Sequence, residues 1–175
     1  MKYAMVAARV ERGSTVVDLC CGDCALERLL VGKECSYIGL DSSKEFVRAG
    51  RRRGVNVLHW EGPLSDFPEG DVICIQSSLY QFMPDEKLLV ERMIAKARLR
   101  VVISEPIRNL SDSGNPVFRM LARWLTSANM KSPVSRHTME SIRSLAAALP
   151  GNIELSLPID REALLVITKP AQPQQ

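Results

Sequence analysis

The chain has 175 residues, 46% of them hydrophobic and 25% charged, and a formal net charge of +3. That length supports one domain with a sizeable core, in a composition ordinary for a soluble globular protein. No apolar run reaches membrane-spanning length and no signal-peptide layout opens the chain. The cytoplasm is therefore the expected setting, in which the five cysteines read as free thiols, and the charge is too weak to mark a nucleic-acid binder.

In chain order, Met1 to Arg12 reads as a short helix. Thr15 to Leu19 is an apolar run that fits a central parallel strand covered on both faces. The small-residue loop Cys20-Cys21-Gly22-Asp23-Cys24 follows, then a helix over Ala25 to Leu30 with Gly32 as its stop. A second strand, Ser36 to Leu40, ends in Asp41. A carboxylate about 20 residues after such a loop is placed to accept both hydroxyls of a ribose.

Ser42 and Glu45 have capping-box spacing, which opens a helix running to about Arg53. Arg48 and Arg51 to Arg53 lie at its end, where cations complement the helix dipole. A third strand is predicted over Val55 to Trp60 and a fourth over Asp71 to Ile75. Pro84-Asp85-Glu86 then opens a helix whose apolar positions are Leu88, Leu89, Met93, Ile94 and Ala97.

The fifth strand, Arg100 to Ser104, is ended by Glu105-Pro106. Glu105 therefore sits at a carboxyl strand end, where ligands of such sheets gather. Residues 106–136 form an insertion with its own helix, Pro116 to Leu125. Its stripe of Phe118, Leu121, Ala122 and Leu125, with Trp124 beside it, reads as a substrate lid, a dimer contact or core. Thr138 caps a helix through Leu149, and His137 before it reads as a cap or core residue ahead of a base. His59 reads as structural. Ile153 to Ile159 and Ala163 to Thr168 are too close for a helical crossover and should pair antiparallel. The tail, Pro170 to Gln175, is expected to be disordered.

The stretch from Val16 to Cys24 resembles the first motif of the class I S-adenosylmethionine-dependent methyltransferases. That motif runs hydrophobic-hydrophobic-Asp-x-Gly-x-Gly-x-Gly, and Asp18, Cys20, Gly22 and Cys24 occupy its Asp and three Gly positions. Cys20 is a mild departure. Cys24 is sharper, because a Cβ at φ > 0 costs about 1 kcal/mol. The resemblance implies an α/β three-layer sandwich: a doubly wound, mostly parallel sheet closed by a C-terminal antiparallel hairpin, in one domain over residues 1–169.

The resemblance further implies S-adenosylmethionine as cofactor and S-adenosylhomocysteine as product, with no metal. The cofactor would be held by Asp18, Cys20, Cys21, Gly22, Asp41, Ser42, Gln76 and Ser77. Asp18 would fix the turn through backbone N–H groups. Tyr80 would face the acceptor, while Glu105 reads from its strand-end place as a base or substrate ligand, and a lid lined by Phe118, Leu121 and Trp124 would suit a small acceptor of apolar or aromatic character. Pro63 stands where many members carry an acid that meets the adenine, with Glu61 or Asp66 as substitutes. A homodimer stays open; stable membrane insertion and nucleic-acid binding are not expected.

Three other readings compete. A nucleoside-binding or regulatory module would keep the fold without transfer. A nicotinamide-binding Rossmann domain would want glycine at positions 20 and 25, where Cys20 and Ala25 stand. Cys21-Gly22-Asp23-Cys24 is formally C-x-x-C at a strand-to-helix turn, which a redox protein would use through a lowered thiol pKa.

Overall fold

A computed structural model describes residues 2–107, 136–159 and 161–169. Seven strands form one sheet: β1 (Thr15–Leu19), β2 (Ser36–Asp41), β3 (Val57–His59), β4 (Gly70–Gln76), β5 (Ala97–Pro106), β6 (Asn152–Ile159) and β7 (Glu162–Thr168). Their order is β3-β2-β1-β4-β5-β7-β6. The first five pair in parallel, whereas β7 lies antiparallel between β5 and β6. This is the predicted doubly wound sheet with its closing hairpin. Between β1 and β4 the winding direction reverses, and such sheets bind ligands at the carboxyl ends beside that point.

Strand alternation sorts the core into two layers. Val17, Leu19, Ile73, Ile75, Val101, Ile103, Leu165 and Ile167 face α4 (Glu86–Lys96) and α5 (Met139–Ala147). Val16, Val72, Cys74, Val102, Leu164 and Val166 face α1 (Lys2–Ala7) and α2 (Ala25–Leu30). On this second face the alternation also brings Asp18, Gln76 and Ser104 inward, so polar side chains replace apolar ones only toward the carboxyl ends. Lys33 Nζ donates to the Ala7 and Val10 carbonyls, which ties α1 and the turn after it to the body of the domain.

Several predicted boundaries move for identifiable reasons. The first helix ends at Ala7, and single turns carry the chain on to Val10. The cap of α3 (Lys44–Arg52) is Ser43, whose Oγ accepts from Phe46 N, so the Ser42 capping box is displaced by one residue. β3 is shorter than predicted because Val55 N bonds Gly50 O, closing the end of α3. β5 is longer: Glu105 and Pro106 stay in the strand, paired with Ala163 and Glu162. In α4, Leu88 is 48% exposed and Val90 takes the inward place. Thr138 does cap α5, in a reciprocal box with Ser141. The predicted lid helix over Pro116 to Leu125 and the tail from Pro170 lie outside the described residues. Among the described residues no helix is long and apolar enough to cross a membrane.

Candidate active site

The loop after β1 has left-handed backbone at three positions, Cys20 (φ 55°), Gly22 (φ 54°) and Cys24 (φ 57°). Both motif glycines that this chain replaces therefore stand where glycine is the relaxed choice, and Cys20 is no milder a departure than Cys24. Neighbouring contacts hold the strained turn. Cys21 N donates to Leu40 O, Cys24 N donates to Cys21 O, and the Cys24 side chain is buried with Cys21, Val47 and Val57. A Cβ on Gly39 would come within 2.8 Å of Cys21 Sγ, so β2 needs glycine there. Around Gly22 the space is open.

The Cys21 and Cys24 sulfurs lie 3.8 Å apart as free thiols. Burial, then the negative field of Asp18, pushes the Cys21 thiol up, and burial likewise raises Cys24. A redox pair needs the opposite shift, so burial here outweighs the helix end and the redox reading loses its chemistry.

Asp18 is fully buried. Its partners are side chains, not the backbone N–H groups expected: Tyr37 OH donates at 2.7 Å, Gln76 Nε2 at 3.3 Å and Cys74 Sγ at 3.5 Å. Burial pushes its carboxyl up to about 6 despite those bonds, which pull the other way. Asp41 is the residue that fixes the turn. Its Oδ2 accepts from Gly22 N at 2.8 Å and its Oδ1 from Ser43 N at 2.8 Å, joining the β1 loop to the cap of α3. Each oxygen keeps a second lone pair for a ligand.

Beside this loop, at the carboxyl ends of the strands, is a cleft of about 390 Å³. Cys20 and Ser42 line it, as do Trp60, Glu61, Pro63 and Phe82. The Trp60 ring anchors the wall, 6.0 Å from Phe82 and 6.1 Å edge-on from Phe67. Arg92 donates to the carbonyls of Pro63 and Ser65 and fixes the loop that forms one side. Glu61 reaches the cleft, while Asp66 is exposed and pairs with Lys96 at 2.8 Å. Of the two proposed substitutes for the missing acid, only Glu61 lines the cleft. Trp60 and Phe82 line the cleft without having been singled out in the sequence; Trp60 directly follows β3, and Phe82 closes the turn Leu79–Phe82 after β4.

The remaining predicted residues lie outside the lining of that cleft. Gln76 ends β4 and Ser77 follows at φ 52°, its N–H on Ser104 O and its Oγ accepting from Lys2 Nζ at 2.9 Å. Gln76 Oε1 is buried without a partner. Glu105 lies on the opposite face of the sheet from Gln76, fully buried, with Oε2 accepting from Leu79 N at 3.0 Å and Oε1 without a partner. Burial pushes its carboxyl up to about 7, offset in part by the N–H groups of Leu79 and Tyr80. The Arg136 guanidinium sits 5.1 Å from the centre of the Tyr80 ring. His137 is a core residue, its Nδ1 3.2 Å from Ser141 Oγ and its pKa lowered by burial.

A family model described as "Methionine biosynthesis protein MetW" matches residues 1–108, from α1 to the end of β5. The chain belongs to the MetW family. Solved structures share the fold of this MetW-family chain. Magnesium protoporphyrin IX methyltransferase (ChlM) from Synechocystis PCC 6803, with bound SAH, superposes at TM-score 0.67 and 14% identity, covering 97% of this chain and 80% of that one. A putative methyltransferase (BH2331) from Bacillus halodurans gives 0.71 at 9% identity, covering 97% and 98%. A Haloferax volcanii putative methyltransferase, in complex with the Trm112 methyltransferase activator, gives 0.63 at 17%, covering 99% and 91%. No curated protein matches by sequence. At these identities the likeness is one of fold, and that fold is the class I methyltransferase one.

Proposed function

We propose that this MetW-family chain binds S-adenosylmethionine in the cleft beside Asp41 and transfers its methyl group to a small-molecule acceptor. The observation that carries the reading is the cleft itself. Its volume is that of a small-molecule site, its wall is aromatic, and it opens at the switch point of a methyltransferase fold. Open space at Gly22 and the unpartnered Gln76 Oε1 also fit a ligand lying along the loop. The SAH held by the Synechocystis neighbour and that enzyme's small-molecule substrate support the same class.

In this reading Trp60, Pro63 and Phe82 take the base, and Glu61 accepts from its amino group. Asp41 takes the ribose through its free lone pairs. Cys20, Cys21, Gly22 and Ser42 supply the cradle, with Gln76 and Ser77 beyond it. When bound, the cofactor supplies a methyl group on sulfonium, with a leaving group that needs no further activation. The protein's task is then to position the acceptor and exclude water. Glu105 Oε1 is a buried, unpartnered oxygen that can take up the proton of an acceptor hydroxyl or amine, and Tyr80 gives that acceptor an aromatic wall.

A nucleoside-binding module without transfer is favoured by one observation: neither Tyr80 nor Glu105, the residues expected to face an acceptor, lines the cleft. Calorimetric titration with S-adenosylmethionine and S-adenosylhomocysteine, with NAD as control, tests the cofactor. Micromolar binding of the first two is expected, and binding of neither would overturn the proposal. A labelled-methyl screen over small-molecule acceptors then separates enzyme from module.

A further inference from the structure

Residues 44–53, α3 and its cap, hold five cations (Lys44, Arg48, Arg51, Arg52 and Arg53) against one acid, Glu45. The whole chain carries +3, so everything outside this segment is one charge negative. All five cations are exposed, and among the described residues none lies within ion-pair distance of a carboxylate. The acids nearby are engaged elsewhere. Asp23 pairs with Arg28 at 2.8 Å, and Glu45 accepts from Ser43 Oγ at 3.1 Å.

The helix dipole explains only part of this cluster. It favours cations in the last turn, where Arg51 and Arg52 stand, and its effect fades beyond that turn. Lys44 lies in the first turn and Arg48 at the centre. Lys44, Arg48 and Arg52 are spaced four apart, so they form one stripe away from the buried Val47 and Gly50, and like charges at that spacing repel. The stripe therefore costs the isolated protein stability. Two other guanidiniums are fixed in place: Arg51 Nε donates to Val57 O at 2.8 Å, and Arg53 Nη2 to Asp23 O at 2.7 Å. Each keeps further N–H groups for an external oxyanion, in a planar fork whose direction is set beforehand. Phe46, on the same helix, is 46% exposed, and Arg and aromatic side chains are enriched where proteins meet.

We propose that the outer face of α3 is a docking surface for an acidic helix of a partner protein, whose carboxylates meet Lys44, Arg48 and Arg52. Positions four apart on a helix rise by about 6 Å, so acids at the same spacing on a partner helix match the stripe in register. The charge distribution favours this occupant over nucleic acid. The stripe is about 12 Å long, and a longer polyanion finds no net attraction in the remainder of the chain. The fixed forks favour it over an anionic membrane, whose mobile headgroups need no directed donors. None of the five cations lines the cleft, so the assignment is independent of the cofactor reading.

The test is binding to the intact protein at low salt, by fluorescence anisotropy for soluble probes and co-sedimentation for vesicles. The probes are an alanine-based helical peptide with Glu at every fourth position, its Gln counterpart, a single-stranded oligonucleotide, and vesicles of phosphatidylcholine with phosphatidylserine. The Glu peptide should bind, and its affinity should fall as salt is raised and at least tenfold in Arg48→Glu. That substitution turns a repulsive stripe into an alternating one, so in urea unfolding the variant should be no less stable than the wild type, which separates lost docking from lost folding. A Glu peptide that does not bind, that binds no better than its Gln counterpart, or that ignores Arg48→Glu overturns the proposal. Tighter binding of the oligonucleotide or of the vesicles also overturns it, and assigns the face to that class instead.

Discussion

Cys24 stands in left-handed backbone (φ 57°, ψ 38°) directly before α2, and its side chain is buried. Replacement by alanine and by glycine removes the sulfur in both cases, so the lost packing largely cancels when the two variants are compared. What remains is the backbone. Alanine keeps a Cβ that costs roughly 1–2 kcal/mol at this φ, while glycine adds roughly 0.5–1 kcal/mol of unfolded-state entropy. Cys24→Gly should therefore be more stable than Cys24→Ala by about 0.5–1 kcal/mol, reversing the usual preference next to a helix. The Cys20 pair should behave likewise. Urea unfolding followed by tryptophan fluorescence measures the difference, Trp60 being buried. An alanine variant equal to or more stable than its glycine counterpart would refute the claim that these turns are strained.

Asp41→Asn keeps the shape of the side chain but turns an amide NH₂ toward Gly22 N or Ser43 N, so it should cost about 1–3 kcal/mol in stability. The same variant should bind S-adenosylhomocysteine at least tenfold more weakly in calorimetry. Glu105 titrates higher in the folded state, about 7 against an ordinary 4.5, so burial favours its neutral form. Its stabilising contribution is full below pH 4.5 and is lost as pH rises through about 7, amounting to roughly 3 kcal/mol at most. Glu105→Gln should flatten the stability–pH curve between those limits in urea titrations; an unchanged slope would show the group is ionised throughout. Arg92→Ala frees the carbonyls of Pro63 and Ser65 and uncovers the Phe67 ring, 5.5 Å from the guanidinium. It should lower stability by about 1–2 kcal/mol and weaken adenosine-containing ligands, read by thermal shift and calorimetry.

The order of elements was legible because parallel strands buried on both faces read as continuous apolar runs, as Thr15–Leu19 does. The closing hairpin followed from the short connection before Ala163. Boundaries were less legible where a tertiary partner decides them. Nothing local tells that β5 continues through Glu105 and Pro106; β7 lying alongside does. Leu88 and Val90 both suit a helix, and only the rotation of α4 against β4 and β5 selects Val90 for the core.

The site was legible in residue type and less so in role. Asp18 and Asp41 were both singled out, yet the turn-fixing task expected of Asp18 falls to Asp41: the buried Asp18 meets side chains, and Asp41 ties the backbone of the turn. The cause is strand parity. Asp18 points inward on the face of Val16, Cys74 and Gln76, where Tyr37 from β2 reaches it, so the loop that follows lies beyond its side chain. Asp41 ends β2 one strand away, level with Gly22, and its carboxylate spans the gap between the two chain turns. The contact of Lys2 with Ser77 was equally invisible, because it depends on α1 lying over the end of β4, 75 positions away in the chain.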